Sequence, residues 1–171
     1  LLSSLAITLL AFTLLWAIHI PLKNAGVVDF YWGPGFAVIA IFYAARPGEF
    51  SNLQIVLVAL ICIWATRLSL YLIDRFNQHA GEDRRYSAMR NNGGPNFWWA
   101  SLIKIFTLQA VIMWIIASPL HVGLLASNAG NSSNGLAIFG ILLFGAGFVM
   151  EITADWQPAG LKNEVPNKMP L

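Results

Sequence analysis

The chain has 171 residues, of which 57% are hydrophobic and 11% charged, with a formal net charge of +2. Soluble domains carry about 25% charged residues, so this composition excludes an ordinary soluble globular fold and points to a multispanning membrane protein. The length suffices for one bundle and leaves no room for a separate soluble domain, and the single cysteine, Cys62, excludes an internal disulfide and reads as an inert thiol in an apolar run.

A spanning helix needs about 20 apolar residues, and five segments qualify as candidates. The first, Leu1–Ile20, is ended by Pro21 and Lys23; it has no basic leader and no small-residue cleavage pattern, so it reads as a membrane helix and not as a signal peptide. The second, Val27–Ala45, is ended by Arg46-Pro47-Gly48. It contains Gly33-Pro34-Gly35, and the stretch from Pro34 to Ala45 rises only roughly 18 Å. The crossing must therefore include the broken stretch Val28–Gly33, where irregular backbone is tolerated only inside protein or beside a water-filled cavity. Asp29 is expected to face inward.

The third candidate is Leu53–Ile73. The polar segment Asp74–Asn96 follows, with four of the ten basic and three of the eight acidic residues. The fourth, Phe97–Leu120, opens on Pro95-Asn96 and an aromatic group, Phe97, Trp98 and Trp99, suited to a membrane interface. The fifth, Gly135–Trp156, follows a Gly/Asn/Ser loop at Ser127–Asn134. The expected fold is an all-α, multispanning helix bundle of about five transmembrane helices, a single domain over residues 1–171.

Lysine and arginine counts give the orientation. Pro21–Gly26, Asp74–Asn96 and the C-terminal tail share one side, which holds Lys23, Arg75, Arg84, Arg85, Arg90, Lys162 and Lys168, against Arg46 alone opposite. That bias predicts the N-terminus out and the C-terminus in, in a bacterial inner membrane or, in a eukaryote, the endoplasmic reticulum.

Ionisable residues within spans point to function by default. Here they are Asp29, Arg67, Lys104, Glu151 and Asp155, and the topology puts all five in the cytoplasmic half. Arg67, Tyr71 and Arg75 recur every four residues and share a helix face, as do Glu151 and Asp155. Such a set can pair, can line a polar cavity open to the cytoplasm, or, for the long Arg67 and Lys104 side chains, can reach the headgroups. Arg84, Arg85 and Arg90 can equally enforce topology or touch anionic lipid. No P-loop, G-x-G-x-x-G or H-E-x-x-H pattern is present, and His19, His79 and His121 lack metal-ligand spacing, so no metal and no nucleic acid is expected.

Particular runs carry a resemblance. Trp64–Arg75 (W-A-T-R-L-S-L-Y-L-I-D-R), Gly81–Tyr86 (G-E-D-R-R-Y), Met89-Arg90, Phe97–Gln109, Val28–Gly33 and Glu151–Gln157 together resemble the steroid 5-alpha-reductase-like family, in its mostly bacterial branch. The resemblance spans nearly the whole chain. It implies an all-helical membrane bundle that uses NADPH to reduce a carbon–carbon double bond conjugated to a ketone, with an acid near the carbonyl oxygen. The substrate would be a hydrophobic small molecule or lipid.

The residues that follow from the resemblance are these. Tyr71, with Asp29 or Glu151, would act near the substrate carbonyl. Arg67, Arg75, Arg84, Arg85, Asp155 and Lys162 would hold the cofactor, although Glu151 stands where the reductases have Asn. The family's G-L-W-x-x-S-R-H-P-N-Y motif is expected to begin just beyond Leu171, which makes the chain the N-terminal two-thirds of a family member. Two alternatives stay open: an isoprenylcysteine or lipid methyltransferase-like enzyme using S-adenosylmethionine, and a non-catalytic lipid-binding membrane protein.

Overall fold

A computed structural model describes residues 1–48, 50–78, 82–125 and 134–164. The described residues contain helices and no strands: α1 Leu2–Leu22, α2 Val27–Phe30, α3 Trp32–Ala44, α4 Asn52–Gln78, α5 Arg84–Gly93, α6 Phe97–Ser101, α7 Leu108–Ile116, α8 Ser118–Leu125 and α9 Asn134–Glu164. A 3₁₀ turn, Gly94–Asn96, joins α5 to α6, and a π turn, Leu102–Thr107, joins α6 to α7. The chain forms two compact units, Leu1–Asn128 and Ala129–Leu171.

Among the described residues, four helical stretches are long and apolar enough to cross a membrane: Leu2–Leu22, Asn52–Phe76, Arg84–Ile116 and Gly135–Trp156. The second of the five expected spans, Val27–Ala45, is not among these four helices of the described residues. The second candidate divides at Tyr31, and α3 has only 13 residues, a rise of roughly 20 Å against a hydrocarbon core of about 30 Å. The cause is Pro34, which has no N–H to give the Phe30 carbonyl, so a helix running through Phe30 cannot continue. Restarting at Trp32 places Pro34 in the first turn of α3, where a missing N–H costs nothing, and the Gly35 N–H then bonds the Tyr31 carbonyl at 2.7 Å.

Within the first unit, α3 packs chiefly on α4, and α1 lies against α7 and the π turn. Lipid is as apolar as a leucine, so packing between membrane helices depends on close approach of small residues. Gly33 supplies it: a β-carbon there would lie 2.6 Å from the Ala65 carbonyl oxygen. Rings interlock around this contact, Phe12 edge-on to Tyr31 at 5.4 Å and Phe36 edge-on to Trp64 at 5.6 Å. The buried core includes Phe12, Val28, Ile39, Tyr43, Phe106 and Met113.

Polar side chains inside the unit gather at its two ends. At one end Ser4 Oγ accepts from the Tyr43 hydroxyl and from Trp114 Nε1, both at 3.1 Å, and itself donates to the Leu1 carbonyl. At the other end Trp16 Nε1 donates to the Trp98 carbonyl at 2.7 Å, with the rings of Trp16, Trp98 and Trp99 clustered beside it. The connection after α1 and the segment before α5 meet at this second end, where the Ala25 N–H donates to Glu82.

The π turn leaves its mark on the buried face. Buried positions run Phe97, Ser101, Ile105 and then resume one residue later as Phe106, Ala110, Met113 and Ala117. One extra residue in the wide turn shifts the inward face by one position.

The second unit contains α9, whose apolar part is Gly135–Trp156. Glu151 and Asp155 lie one turn apart on it.

Candidate functional site

A cavity of about 560 Å³ opens among the C-terminal turns of α4, the α1–α2 connection, α2 and the start of α5. Its charged lining consists of Arg75, Arg84 and Arg85 against Asp29, Glu82 and Asp83, with Asn24, Gly26, Phe30, Leu72 and Phe76 completing the wall.

Several wall residues are fixed by local devices. Asn24 Oδ1 accepts the Gly26 N–H at 2.9 Å, which turns the chain from α1 into α2 and points Asp29 at the cavity. Asp83 caps α5: its Oδ1 accepts the Arg85 N–H at 2.9 Å. The Arg85 guanidinium also binds both Asp83 oxygens, at 3.1 Å each, and its Nη2 stands 3.6 Å from Asp29 Oδ2. Arg85 is nonetheless 69% exposed, so its fork is tethered and still reachable. Among the described residues Arg84 makes no ion pair.

Glu82 anchors the segment before α5 from behind. It accepts from Arg90 Nη2 at 2.8 Å and Nε at 3.0 Å, and from the Ala25 N–H at 2.7 Å. Burial acts against its charge, but the Arg90 and Ala25 hydrogen bonds prevail and hold the carboxyl below its ordinary range. Asp83 also lies below its ordinary range, held there by the side-chain and backbone hydrogen bonds from Arg85. Arg90 is itself stacked on Phe97, 4.7 Å from the ring centre.

Behind Asp29 runs a chain of polar groups, buried at Tyr86 and half-buried at Gln109 and Trp32. The Tyr86 hydroxyl donates to Asp29 Oδ1 at 2.8 Å, Gln109 Nε2 donates to the Tyr86 oxygen at 3.1 Å, and Trp32 Nε1 donates to Gln109 Oε1 at 2.8 Å. Tyr86 is 5% exposed. Three separate parts of the chain thus hold one carboxylate oxygen.

The residues singled out from the sequence fall in different places. Asp29, Arg75, Arg84 and Arg85 come together on the cavity wall. Tyr71 and Arg67 lie further up α4 and are not among its lining residues; the Arg67 guanidinium lies over the Tyr71 ring at 5.7 Å. Glu151 and Asp155 belong to the second unit, and the side chain of Lys162 lies outside the described residues. Lys104, on the π turn, is exposed and not part of the wall. Sequence reasoning did not assign Glu82, Tyr86, Arg90, Gln109 or Trp32 to a site. The G-E-D-R-R-Y run contained two of them, and Gln109 closed the Phe97–Gln109 run.

Among the described residues, no three His, Cys, Asp or Glu side chains gather as a metal site requires. No curated protein and no solved structure matches the chain significantly. One family model matches residues 15–170, nearly the full length, and the chain therefore belongs to the family described as "Protein of unknown function (DUF1295)".

Proposed function

We propose that this protein is a membrane-embedded, NAD(P)H-dependent reductase that saturates a carbon–carbon double bond conjugated to a carbonyl in a hydrophobic substrate, a steroid-like enone or an enoyl lipid. The observation that carries the reading is the meeting of Asp29 with Arg75, Arg84 and Arg85 around one cavity. Guanidinium forks suit the phosphates of a dinucleotide, and a single oriented carboxyl suits the carbonyl end of an enone. The likeness of Val28–Gly33, Trp64–Arg75 and Gly81–Tyr86 to the steroid 5-alpha-reductase-like proteins supports the same chemistry. So do the four helices long enough to cross a membrane, which suit a substrate that arrives from lipid.

In this reading Arg75, Arg84 and Arg85 bind the cofactor's phosphates, and Asp83 keeps the Arg85 fork in place. Bound reduced nicotinamide would supply a hydride. Asp29 faces the substrate oxygen, and Phe30, Leu72 and Phe76 give the apolar wall. Tyr71, Arg67, Glu151, Asp155 and Lys162 keep the roles that the resemblance implies for them. The Lys and Arg bias makes this end of the first unit cytoplasmic, where a soluble dinucleotide is available.

The test uses the full-length protein in detergent. NADPH or NADH should raise its unfolding temperature, and candidate enones should then drive cofactor oxidation. Absence of both cofactor binding and cofactor oxidation across a panel of enones and enoyl lipids would defeat the reading. Thermal protection by S-adenosylmethionine in place of NADPH would redirect it to methyl transfer.

A further inference from the structure

The hydrogen bonds behind Asp29 have only one possible direction. An indole Nε1–H donates and never accepts, so the Gln109 carbonyl oxygen must face Trp32, at 2.8 Å. The Gln109 amide nitrogen then faces Tyr86, and it can only donate, at 3.1 Å. With its oxygen accepting from Gln109, the Tyr86 hydroxyl has one proton left and one partner for it, Asp29 Oδ1 at 2.8 Å. Oδ1 is thereby an obligatory acceptor.

A carboxyl group has two places for a proton, and this network closes one of them. We propose that Trp32, Gln109 and Tyr86 act as positioning residues that confine the proton of Asp29 to Oδ2, the oxygen on the cavity side, and so make Asp29 a directed proton donor to an acceptor oxygen bound there. Oδ2 is the atom turned towards Arg85, at 3.6 Å. Arg85 is tied to Asp83 by two 3.1 Å bonds, so it leaves Oδ2 within reach of a ligand. The other charged groups sharing the cavity are Arg75 from α4, Glu82 and Asp83 ahead of α5, and Arg84; α1 and α3, which also pack on α2, add none to the wall.

The naming of the acceptor rests on the reductase reading; the placement of the proton does not. If that reading holds, saturating an enone consumes one hydride, from the reduced nicotinamide, and one proton. The Oδ2–H bond breaks as the carbonyl oxygen gains that proton, which gives the enol and leaves Asp29 as a carboxylate; the enol becomes the saturated ketone by taking a proton from solvent at the α-carbon and releasing its O–H proton to solvent. The new charge on Asp29 is met by the Tyr86 hydroxyl already pointing at Oδ1 and by the Arg85 guanidinium. Solvent entering the cavity restores the proton.

Infrared spectroscopy on the full chain in detergent, with no cofactor or substrate added, tests the placement. The Asp29 carboxyl band is identified by its loss in Asp29→Asn and followed as pH is lowered. If the proton is on Oδ2, the carbonyl oxygen is Oδ1 and accepts from Tyr86, so Tyr86→Phe should raise the carbonyl stretching frequency. A proton on Oδ1 would leave that frequency unchanged, and this result would overturn the proposal. Trp32→Phe removes a hydrogen bond to Gln109 and none to Asp29, yet it frees the Gln109 amide to turn over. It should therefore raise the proton affinity of Asp29 by about threefold to tenfold, and the double variant with Tyr86→Phe should add nothing to Tyr86→Phe alone. A titration identical to the parent would equally refute the proposal. Gln109→Met carries the same expectation should Trp32→Phe not fold. Failure of enone turnover with these spectra intact removes the reductase reading and leaves the proton placement standing.

Discussion

A single 2.7 Å hydrogen bond from the Ala25 N–H to the Glu82 carboxylate joins two segments 57 residues apart in sequence. It ties the connection between α1 and α2 to the start of α5, and so fixes two sides of the cavity to each other. Arg90 completes the grip from the far side, with its own bonds to both carboxylate oxygens.

Glu82→Ala should therefore cost more than a surface ion pair does. The Glu82 side chain is only 10% exposed, and its loss strands the Ala25 N–H and the Arg90 guanidinium together. We expect a loss of about 2–4 kcal/mol, seen as a lower unfolding temperature in detergent. Glu82→Gln should recover part of it, because the amide oxygen can still accept from Ala25.

The same carboxyl predicts a pH dependence. Its folded value lies below its ordinary range, with burial opposing and the Arg90 and Ala25 bonds dominating. The unfolded chain therefore binds this proton more readily than the folded one. The stabilisation is fully present above the ordinary carboxylate range and is lost as pH falls through the depressed folded value. Unfolding temperature measured from neutral to acid pH should fall less steeply in Glu82→Gln than in the parent.

Gly33→Ala tests the contact between α3 and α4. The added carbon would meet the Ala65 carbonyl oxygen at 2.6 Å and Ser69 Oγ at 2.8 Å. A backbone carbonyl inside a helix cannot move aside, so the helices must separate. A loss of about 2 kcal/mol or more is expected, checked by thermal unfolding.

Ser4→Ala tests the polar cluster at the opposite end of the first unit. Ser4 Oγ accepts from two donors, the buried Tyr43 and the half-buried Trp114. Leaving both without an acceptor should cost about 2 kcal/mol or more. Tyr43→Phe in the Ser4→Ala background should recover stability, because it removes one stranded donor.

Cofactor affinity separates the arginines from the lysine. If the cavity binds a dinucleotide, Arg84→Ala should weaken NADPH binding by about tenfold or more, with a smaller salt dependence than the parent. Lys104→Ala, exposed on the π turn, should bind as the parent does. Calorimetric titration at two ionic strengths checks both.

Local chemistry made much of the fold legible. Runs of apolar residues near 20 in length mark the four long helices, and Pro34 marks the interruption of the second candidate. Gly33-Pro34-Gly35 marks Val27–Ala45 as a broken segment, and the structure adds where the helix restarts, at Trp32. The site was legible in its charges. Asp29 and three arginines of the Asp74–Asn96 segment, Arg75, Arg84 and Arg85, line one cavity. What the pattern could not supply was the far partner. Tyr86 reaches Asp29 across 57 positions and Trp32 reaches Gln109 across 77, the first pairing joining α5 to α2 and the second α3 to α7. Tyr71 is singled out by resemblance and shares a helix face with Arg75, and a face on one helix does not say what lies across from it.

The wide turn at Leu102–Thr107 has a consequence for the length of this chain. Downstream side chains are set in angle by one surplus residue, so the turn works like a spacer in a gear train. Taking out Lys104, a residue that itself contributes nothing to the wall, would turn α7 by about 100° relative to α6. Gln109 would swing away from Tyr86, Asp29 would lose its direction, and the helix would look more regular than before. At this point in the chain a deletion of one amino acid would do more harm than most substitutions.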